Sequence, residues 1–376
     1  MGATGSTVTA ALPPSFDEER DEVMRTVVHI VGTGTIGEPL IGLFTDFKHY
    51  MGIDEVTFHK RTPLEQDRAR IRHLMARGAG LAVNEDRRQD FEDLGHMVSY
   101  DAEEALERAT VVIDCTPAGN QNKAHQYQNL AGVRGFLAQG SEFGFGKPYA
   151  RGVNDEALVP GEDRFVQIVS CNTHNITTLI KTLCDDEDGY CLGQANFVCM
   201  RRANDVTQPD KFIPAPQVGN HNDAEYGTHH ARDAHYLFET LGQSFDLFSS
   251  AVKLNTQYMH SIWFRMEFDR DTTLEEAVER LRGNPRVALT DKNQANIVFS
   301  FGRDHGYYGR ILSQTVVVVP TLAVRRNREL YGFCFTPQDG NSLLSSVAGA
   351  LWMIDPDEAK LAERLNPLRR WLYTEI

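Results

Sequence analysis

Residues 26–44 read "TVVHIVGTGTIGEPLIGLF", and this stretch decides the fold of the first half of the chain. A short β-branched run ends at Gly32, and the residues after Gly37 have the pattern of a helix. The segment between them, "GTGTIG", fits G-x-G-x-x-G, in which glycines permit a tight turn and close approach of the backbone to a pyrophosphate. Gly32, Gly34 and Gly37 therefore predict a dinucleotide site, with a plain glycine turn as the alternative.

Two further β-branched runs, "IDEVTFH" and "ATVVIDCTP", follow with helix-like segments between them, which is the βαβ rhythm of a parallel sheet. After Cys171 the pattern changes to strands such as "QANFVCMRR", "HSIWFRMEFD" and "QTVVVVPTLAV", with few helices. The sequence therefore predicts an α/β protein with a Rossmann dinucleotide-binding domain and an α+β catalytic domain built on a mixed or antiparallel sheet. The expected divisions are a flexible extension over 1–23, the Rossmann domain over 24–170, completed by C-terminal residues 332–376, and the catalytic domain over 171–331.

Composition limits the classes of function. The chain has 376 residues, a formal charge of −14 and no apolar run long enough for a membrane span, so neither a nucleic-acid surface nor a membrane partner is expected. Its 6 cysteines are scattered without a CxxC pair, which predicts reduced thiols, a cytoplasmic location and no metal cluster.

The choice of dinucleotide depends on the end of the second strand, which reads "FHKRTP". An acidic residue at that corner usually holds the ribose 2′-hydroxyl of NAD, but Lys60 and Arg61 stand there instead. Two cations can pair with a 2′-phosphate, so we expect NADP, with NAD possible. The alternative is that both cations are a solvated start to the next helix.

Cys171 is the candidate nucleophile. It follows the apolar strand "FVQIVS", and Ile176, Leu179, Ile180 and Leu183 then recur at helical spacing, so a helix begins at about residue 172 or 173. A thiol at a helix N-terminus is expected to have a lowered pKa and to meet free backbone amides that can hold an oxyanion. We interpret Cys184, Cys191 and Cys199, which lack this setting, as core residues. The alternative for Cys171 itself is also a buried core thiol.

Several short motifs together resemble the archaeal-type (class II) glyceraldehyde-3-phosphate dehydrogenases. They are "GTGTIG", "DCTPAGNQNK", "AQGSEF", "IVSCNT", "MRRAND", "THHARD" and "NTQYMHSI", in this order along the chain. The likeness runs from about Arg25 into the C-terminal region. It implies a homotetramer that acts on a small phosphorylated aldehyde and inorganic phosphate.

The resemblance also implies roles for individual residues. Cys171 would be the nucleophile and His260 the base. From its position next to Cys171, and not from the resemblance, Asn172 is a candidate for holding the oxyanion. Substrate or phosphate would be bound by Ser170, Thr173, Arg201, His229 and His230. The cofactor would be lined by Thr35, Ile36, Gly119 and Gln338, beside the glycine loop.

The residue patterns support part of this assignment. His260 shares strand parity with Ile262 and Phe264, which places it on a buried face, where it is either a base or a satisfied core residue. Arg201 and Arg202 alternate, so we expect only one of them to reach the site and the other to be solvated. His229 and His230 are equally compatible with an ordinary surface pair.

Two departures from the family lie near these motifs. His174 and Asn175 stand where the family usually has Thr-Gly, and Phe143 replaces a family lysine. We therefore expect a reversible, phosphorylating, NAD(P)-dependent dehydrogenase of glyceraldehyde 3-phosphate that acts through a cysteine thioester. One alternative is a related aldehyde or semialdehyde dehydrogenase with another substrate or with water as acyl acceptor. The other is a non-catalytic dinucleotide-binding redox regulator.

Overall fold

The computed structural model describes residues 25–140, 142–204, 212–337 and 339–376. The predicted flexible extension over 1–23 and the predicted cofactor residue Gln338 lie outside this part of the chain. Every helix among the described residues is too short or too polar to span a lipid bilayer.

The first layer is a parallel sheet of 8 strands in the order β4-β3-β2-β1-β5-β6-β8-β7. Its elements, with the helix that leaves it, are β1 (Val27–Val31), α1 (Gly37–Met51), β2 (Glu55–His59), α2 (Arg68–Ala76), β3 (Gly80–Val83), α3 (Arg88–Asp93), β4 (Tyr100–Asp101), α4 (Ala102–Glu107), β5 (Val111–Asp114), α5 (Gly119–His125), β6 (Gly135–Gln139), β7 (Lys147–Tyr149), β8 (Phe165–Ile168) and α6 (Cys171–Cys184). The predicted βαβ rhythm is confirmed.

The second layer is a mixed sheet in which β11 and β14 are the long central strands. A short hairpin precedes it, and the elements are β9 (Asp185–Asp186), β10 (Gly189–Tyr190), β11 (Leu192–Arg201), β12 (Gln217–Val218), α7 (His229–Glu239), β13 (Asp246–Lys253), β14 (His260–Phe268), α8 (Leu274–Gly283), β15 (Val287–Thr290), α9 (Ala295–His305), β16 (Thr315–Val318), β17 (Ala323–Arg325), β18 (Glu329–Thr336), α10 (Leu343–Ile354) and α11 (Glu358–Leu365). The strand order is β12-β13-β11-β14-β18-β16-β15, and β17 pairs with β18. Parallel and antiparallel pairs both occur, so the predicted fold class is confirmed.

Separate hydrophobic cores hold the two layers. Helix α10 packs with α1 and α11 against the first sheet, and its apolar side chains join the core built on β1 and β2. A Cβ atom at Gly349 would lie 2.7 Å from the side chain of Leu137, so α10 approaches the sheet closely at that residue. Helices α6, α7 and α8 cover one face of the second sheet.

The path of the chain between the layers bears on the domain prediction. Strand β18 stays in the second sheet as far as Thr336, beyond Tyr331, where we placed the end of the catalytic domain. The chain then returns to the first layer through α10. The domain boundaries themselves stay a prediction.

Candidate active site

Cys171 lies where the chain leaves the first sheet for the second layer. Strand β8 ends at Ile168, and Ser170 has extended backbone angles and caps the next helix, because its side chain accepts a hydrogen bond from the backbone amide of Thr173. This cap fixes Cys171 as the first helical residue, close to the predicted start. The thiol therefore lies at the N-terminus of a 14-residue helix, at the carboxyl edge of a parallel sheet.

A cavity of about 210 Å³ opens beside this thiol and is lined by both layers. It brings together nine of the predicted site residues, which are Thr35, Ile36, Ser170, Cys171, Asn172, Arg201, His229, His230 and His260. Asp339 and Ser342 also line it, and nothing in the sequence indicated either residue. The residues are far apart in the chain. They meet because the first residues of α6, α7 and β14 and the last residue of β11 lie close together.

Other predicted residues lie outside this cavity. The Thr173 hydroxyl is buried and lies 2.9 Å from the Ser170 hydroxyl, so Thr173 supports the cap. Gly119 begins α5, at the carboxyl end of β5. Lys60 and Arg61 follow β2 on the first sheet.

The charge at Cys171 differs from the prediction. Burial raises the pKa of its thiol to about 12, and the carboxylate of Asp339 also raises it. Arg202, Arg201 and the Asn172 backbone amide act in the opposite direction but do not outweigh burial. The expected lowering of this pKa was therefore wrong, because desolvation exceeds the effect of the helix terminus.

Arg202 and Asp339 form a buried ion pair beside the thiol. The Arg202 guanidinium lies 3.0 Å from the Asp339 carboxylate, and 4% of Arg202 is exposed. We expected the arginine that does not line the site to be solvated, and this was wrong. Arg201 lines the cavity, whereas Arg202 turns inward because Asp339 offsets its charge.

His260 begins β14 on its buried face, as its strand parity predicted. Its Nδ1 atom accepts a hydrogen bond of 2.9 Å from the backbone amide of Arg202. Burial, with Arg202 and Arg201, lowers the pKa of His260 well below the usual value, so the ring is neutral. Since Nδ1 is an acceptor, the single ring proton is on Nε2. This tautomer donates a hydrogen bond through Nε2 and cannot accept a proton there.

The two histidines of α7 also line the cavity as neutral rings. His230 Nε2 lies 3.5 Å from the side-chain amide nitrogen of Asn172, which can only donate, so the ring proton of His230 is on Nδ1. That Nδ1 atom is buried and has no hydrogen-bond partner among the described residues. Burial, followed by Arg201 and Arg232, lowers the pKa of His229 to about 4.

Asn172 is held from two sides. Its Oδ1 atom accepts a hydrogen bond of 3.2 Å from the Thr336 hydroxyl, and its amide nitrogen faces His230. Asn175, in the next turn, donates to the Thr336 hydroxyl at 2.9 Å. The side chain of Asn172 is therefore fixed at the wall of the cavity.

The glycine loop has the shape that a dinucleotide requires. Gly32 has φ +96°, and a Cβ atom at Gly37 would lie 2.1 Å from the Gly32 carbonyl oxygen, so α1 packs against the turn without room for a side chain. A Cβ atom at Gly34 would meet nothing within 4 Å, so the backbone there faces open space. The residues present thus fit a pyrophosphate against the loop. Arg310, which sequence analysis missed, donates a hydrogen bond of 2.9 Å to the Thr35 carbonyl.

One of the two cations that follow β2, Lys60, forms an ion pair with a nearby carboxylate. Lys60 Nζ lies 2.6 Å from a carboxylate oxygen of Asp67, which begins the next helical segment. The charge of Lys60 is therefore already matched, and Arg61 is exposed. The role of Lys60 and Arg61 in the choice of dinucleotide stays a prediction, and Arg61 is the less engaged of the two cations.

Neither departure from the family pattern lines the cavity. His174 is fully buried behind the thiol, with Nδ1 3.2 Å from the Ser170 carbonyl and Nε2 2.8 Å from the Ser345 hydroxyl. Asn175 contacts β18. Phe143 lies under the guanidinium of Arg232, 4.2 Å from its ring centre. His174 and Asn175 therefore act on packing between the layers.

The fold is that of a mixed α/β protein with a Rossmann-like parallel sheet and a second mixed sheet, and comparison with known proteins specifies its class. No protein-family model matches the chain. It is 28% identical to a glyceraldehyde-3-phosphate dehydrogenase of Metallosphaera sedula over 66% of this chain and 72% of that protein. It is 24% identical to glyceraldehyde-3-phosphate dehydrogenase 1 of Methanosarcina barkeri over 73% of this chain and 80% of that protein. It is 26% identical to the glyceraldehyde-3-phosphate dehydrogenase of Pyrobaculum islandicum over 81% of this chain and 85% of that protein.

These similarities are distant but extend over most of each chain. The protein is a divergent relative of the archaeal glyceraldehyde-3-phosphate dehydrogenases, and the resemblance predicted from its motifs is confirmed.

The ion pair beside the thiol yields a prediction about reactivity. Asp339→Asn removes a negative charge that raises the pKa of Cys171, so that pKa falls and Cys171 is alkylated faster at pH 8. Asn tolerates the backbone of this position, where φ is 62°. The pH profile of iodoacetamide labelling, with the peptide identified by mass spectrometry, measures the shift.

The matched control is Asp304→Asn, a surface carboxylate that does not line the cavity. It should leave the labelling profile of Cys171 unchanged. A profile for Asp339→Asn that is unchanged or moved to higher pH, in a protein that still melts cooperatively, would contradict the assignment.

Proposed function

We propose that the protein is an NAD(P)-dependent, phosphorylating dehydrogenase of glyceraldehyde 3-phosphate. The observation that carries this proposal is the cavity in which Cys171 faces Thr35 and Ile36 of the glycine loop on one side and the histidines of α7 on the other. A thiol, a dinucleotide cradle and anion-compatible donors are the groups that thiol-dependent aldehyde oxidation needs. The names of the relatives support the choice of aldehyde.

The phosphate of the substrate fits the side of the cavity formed by α7 and the end of β11. Arg201 supplies a positive charge, and the unpartnered Nδ1–H of His230 supplies a buried donor. Neutral histidines add N–H donors without requiring a counter-ion. This side of the cavity would also receive inorganic phosphate as the acyl acceptor.

The dinucleotide would lie along the glycine loop, with Gly34 and the N-terminus of α1 at its pyrophosphate and Thr35, Ile36 and Gly119 beside it. When bound, the nicotinamide accepts the hydride that leaves the substrate carbon. Arg310 holds the Thr35 carbonyl and so fixes the loop against the second layer.

The chemical steps follow from the positions of these groups. The Cys171 thiol loses its proton to solvent, and its sulfur attacks the aldehyde carbon to give the thiohemiacetal oxyanion. The oxyanion then re-forms the C=O bond, the C–H bond breaks with departure of the hydride, and a thioester is left on Cys171. Inorganic phosphate attacks the thioester carbon, releases the thiolate and gives the acyl phosphate. The reverse sequence reduces an acyl phosphate. The backbone amides at the start of α6 and the side chain of Asn172 are positioned for the oxyanion.

His260 has a different role in this proposal from the base that the resemblance implied. Because its proton is on Nε2, it stabilises the developing oxyanion as a hydrogen-bond donor. Arg201 and Arg202 favour the thiolate electrostatically. The homotetramer and the cytoplasmic location stay predictions.

The function is tested by NADP and NAD reduction over a panel of aldehydes, each with and without inorganic phosphate. We expect turnover of glyceraldehyde 3-phosphate that requires phosphate and is abolished in Cys171→Ser. Turnover without phosphate, or of an unphosphorylated semialdehyde only, would favour the related dehydrogenases. Binding of dinucleotide with no turnover of any aldehyde would favour the dinucleotide-binding regulator.

The choice of cofactor depends on Arg61 more than on Lys60, because Lys60 is paired with Asp67. Arg61→Ala should weaken NADP binding by about 10-fold to 100-fold, the equivalent of about 1.5–3 kcal/mol for a charge-assisted contact, and leave NAD binding nearly unchanged. Lys60→Ala should have the smaller effect. Arg325→Ala, an exposed arginine on β17, is the control, and fluorescence titration with each dinucleotide gives the dissociation constants. Equal losses for NADP and NAD in Arg61→Ala would contradict the assignment.

The role of His260 is tested with two substitutions. His260→Ala removes the Nε2–H donor and should lower kcat by about 10²–10³-fold, as the loss of one oxyanion donor does. His260→Gln keeps an N–H donor near the same position and should recover at least part of this loss. If both variants lose activity equally while dinucleotide binding and melting temperature hold, His260 acts as a base. If His260→Ala has a lower melting temperature than the unsubstituted protein but an unchanged kcat, His260 has a structural role.

A further inference from the structure

The hairpin that follows α6 brings two cysteines together at the far end of the helix from Cys171. Cys184 is the last residue of α6, and Cys191 follows β10. In the hairpin Tyr190 pairs with Asp185, so the next pair along the two chains is Cys191 opposite Cys184. The backbone amide of Cys191 donates a hydrogen bond of 2.9 Å to the Cys184 carbonyl, so backbone hydrogen bonding extends one residue beyond the two-stranded hairpin.

This placement matches the geometry of a disulfide. A backbone N–H···O bond of this length holds the Cα atoms of its two residues within roughly 7 Å, which is the outer limit of the span of a disulfide. The two thiols also interact electrostatically, because each shifts the pKa of the other. Both cysteines are free in the structure.

The two thiols have different electrostatic surroundings. The Cys184 thiol, and after it the Arg270 guanidinium, lower the pKa of Cys191 to about 6. Arg270 is held in place by Glu276 at 2.7 Å and Asp186 at 3.2 Å. Burial, by contrast, raises the pKa of Cys184. Our interpretation of Cys191 as a plain core residue was therefore incomplete.

We propose that Cys184 and Cys191 form a dithiol that a peroxide oxidises to an intramolecular disulfide. The Cys191 thiolate attacks one peroxide oxygen, which gives a sulfenic acid and releases hydroxide. The Cys184 thiol then attacks the sulfenic sulfur, the S–S bond forms and water leaves. The Cys184 proton leaves in this water molecule, and the proton that Cys191 lost converts the released hydroxide into a second one. One peroxide is therefore reduced to two water molecules for each disulfide that forms.

The dithiol is separate from the proposed catalytic centre. Cys171 and Cys184 are the first and last residues of α6, about 20 Å apart at the rise of an α-helix. Cys191 is 8% exposed and follows an exposed hairpin tip at Glu187 and Asp188, so a molecule as small as hydrogen peroxide has a short path to it. The proposal does not depend on dehydrogenase activity.

The experiment uses the full chain with Cys171→Ser, so that Cys171 does not react. The protein is treated with one equivalent of hydrogen peroxide, blocked with iodoacetamide after unfolding, and digested without reductant. We expect a peptide pair joined through Cys184 and Cys191 with a mass lower by two hydrogens, and a loss of two free thiols per chain. Dithiothreitol should reverse both changes.

Substitutions then separate the roles of the residues. In Cys184→Ser, Cys191 should be trapped by dimedone as the sulfenic acid, whereas Cys199→Ser should still form the disulfide. Arg270→Gln should slow oxidation about tenfold, since the thiolate loses its cation. Arg282→Gln, at an exposed arginine of the neighbouring helix α8, is the control and should have a much smaller effect.

The proposal is overturned if both thiols are recovered reduced after this treatment. It is also overturned if the disulfide joins other cysteines, or if Cys191 in Cys184→Ser gives no dimedone adduct while the protein remains folded.

Discussion

The rest of the structure depends on the first turns of α6, where four consecutive buried polar residues, Asn172, Thr173, His174 and Asn175, lie between the two layers. A buried polar group that loses its partner costs about 1–3 kcal/mol, so each of these side chains needs a fixed acceptor or donor. His174 illustrates how the need is met. Since the Ser170 carbonyl can only accept, His174 donates through Nδ1 and accepts from the Ser345 hydroxyl through Nε2. The backbone amide of Arg151 donates to the same hydroxyl, at 2.9 Å.

This arrangement ties three parts of the chain to the start of one helix. Ser345 belongs to α10 on the first sheet, and Thr336 ends β18 of the second sheet. Asn341, on the segment between them, donates to the carbonyl of Cys171 at 2.7 Å. The position of the thiol therefore depends on contacts with both layers. A hydrogen-bond chain from Asn175 through Thr336 and Asn172 reaches His230, so the tautomer of a cavity histidine is set by residues outside the cavity.

Sequence patterns predicted the features that depend on local spacing. The glycine loop, the strand parity of His260 and the helix that starts at Cys171 all follow from periods of a few residues. The Arg202–Asp339 pair and the contact of Arg310 with Thr35 join residues separated by 137 and 275 positions, and no local pattern encodes them. The Lys60–Asp67 pair spans a short distance in sequence, but it depends on how the segment after β2 turns back. The charge state of the site was accordingly harder to predict than its location.

Cys171 shows why the charge state of a site residue is harder to predict from sequence than its location. A helix N-terminus contributes up to about 2 kcal/mol to a nearby anion, whereas full burial shifts a pKa by up to about 3–5 units, each unit being about 1.4 kcal/mol. Burial therefore decides the state of the thiol. Asp339 is near enough to raise the pKa of Cys171, and Arg202, its ion-pair partner, lowers it. The pKa of the thiol is therefore set by opposed contributions from its fixed surroundings, in which burial and Asp339 raise it and Arg202 and Arg201 lower it. None of these four contributions can be inferred from the position of Cys171 at a helix N-terminus, because burial and the three charged side chains are brought there by tertiary packing.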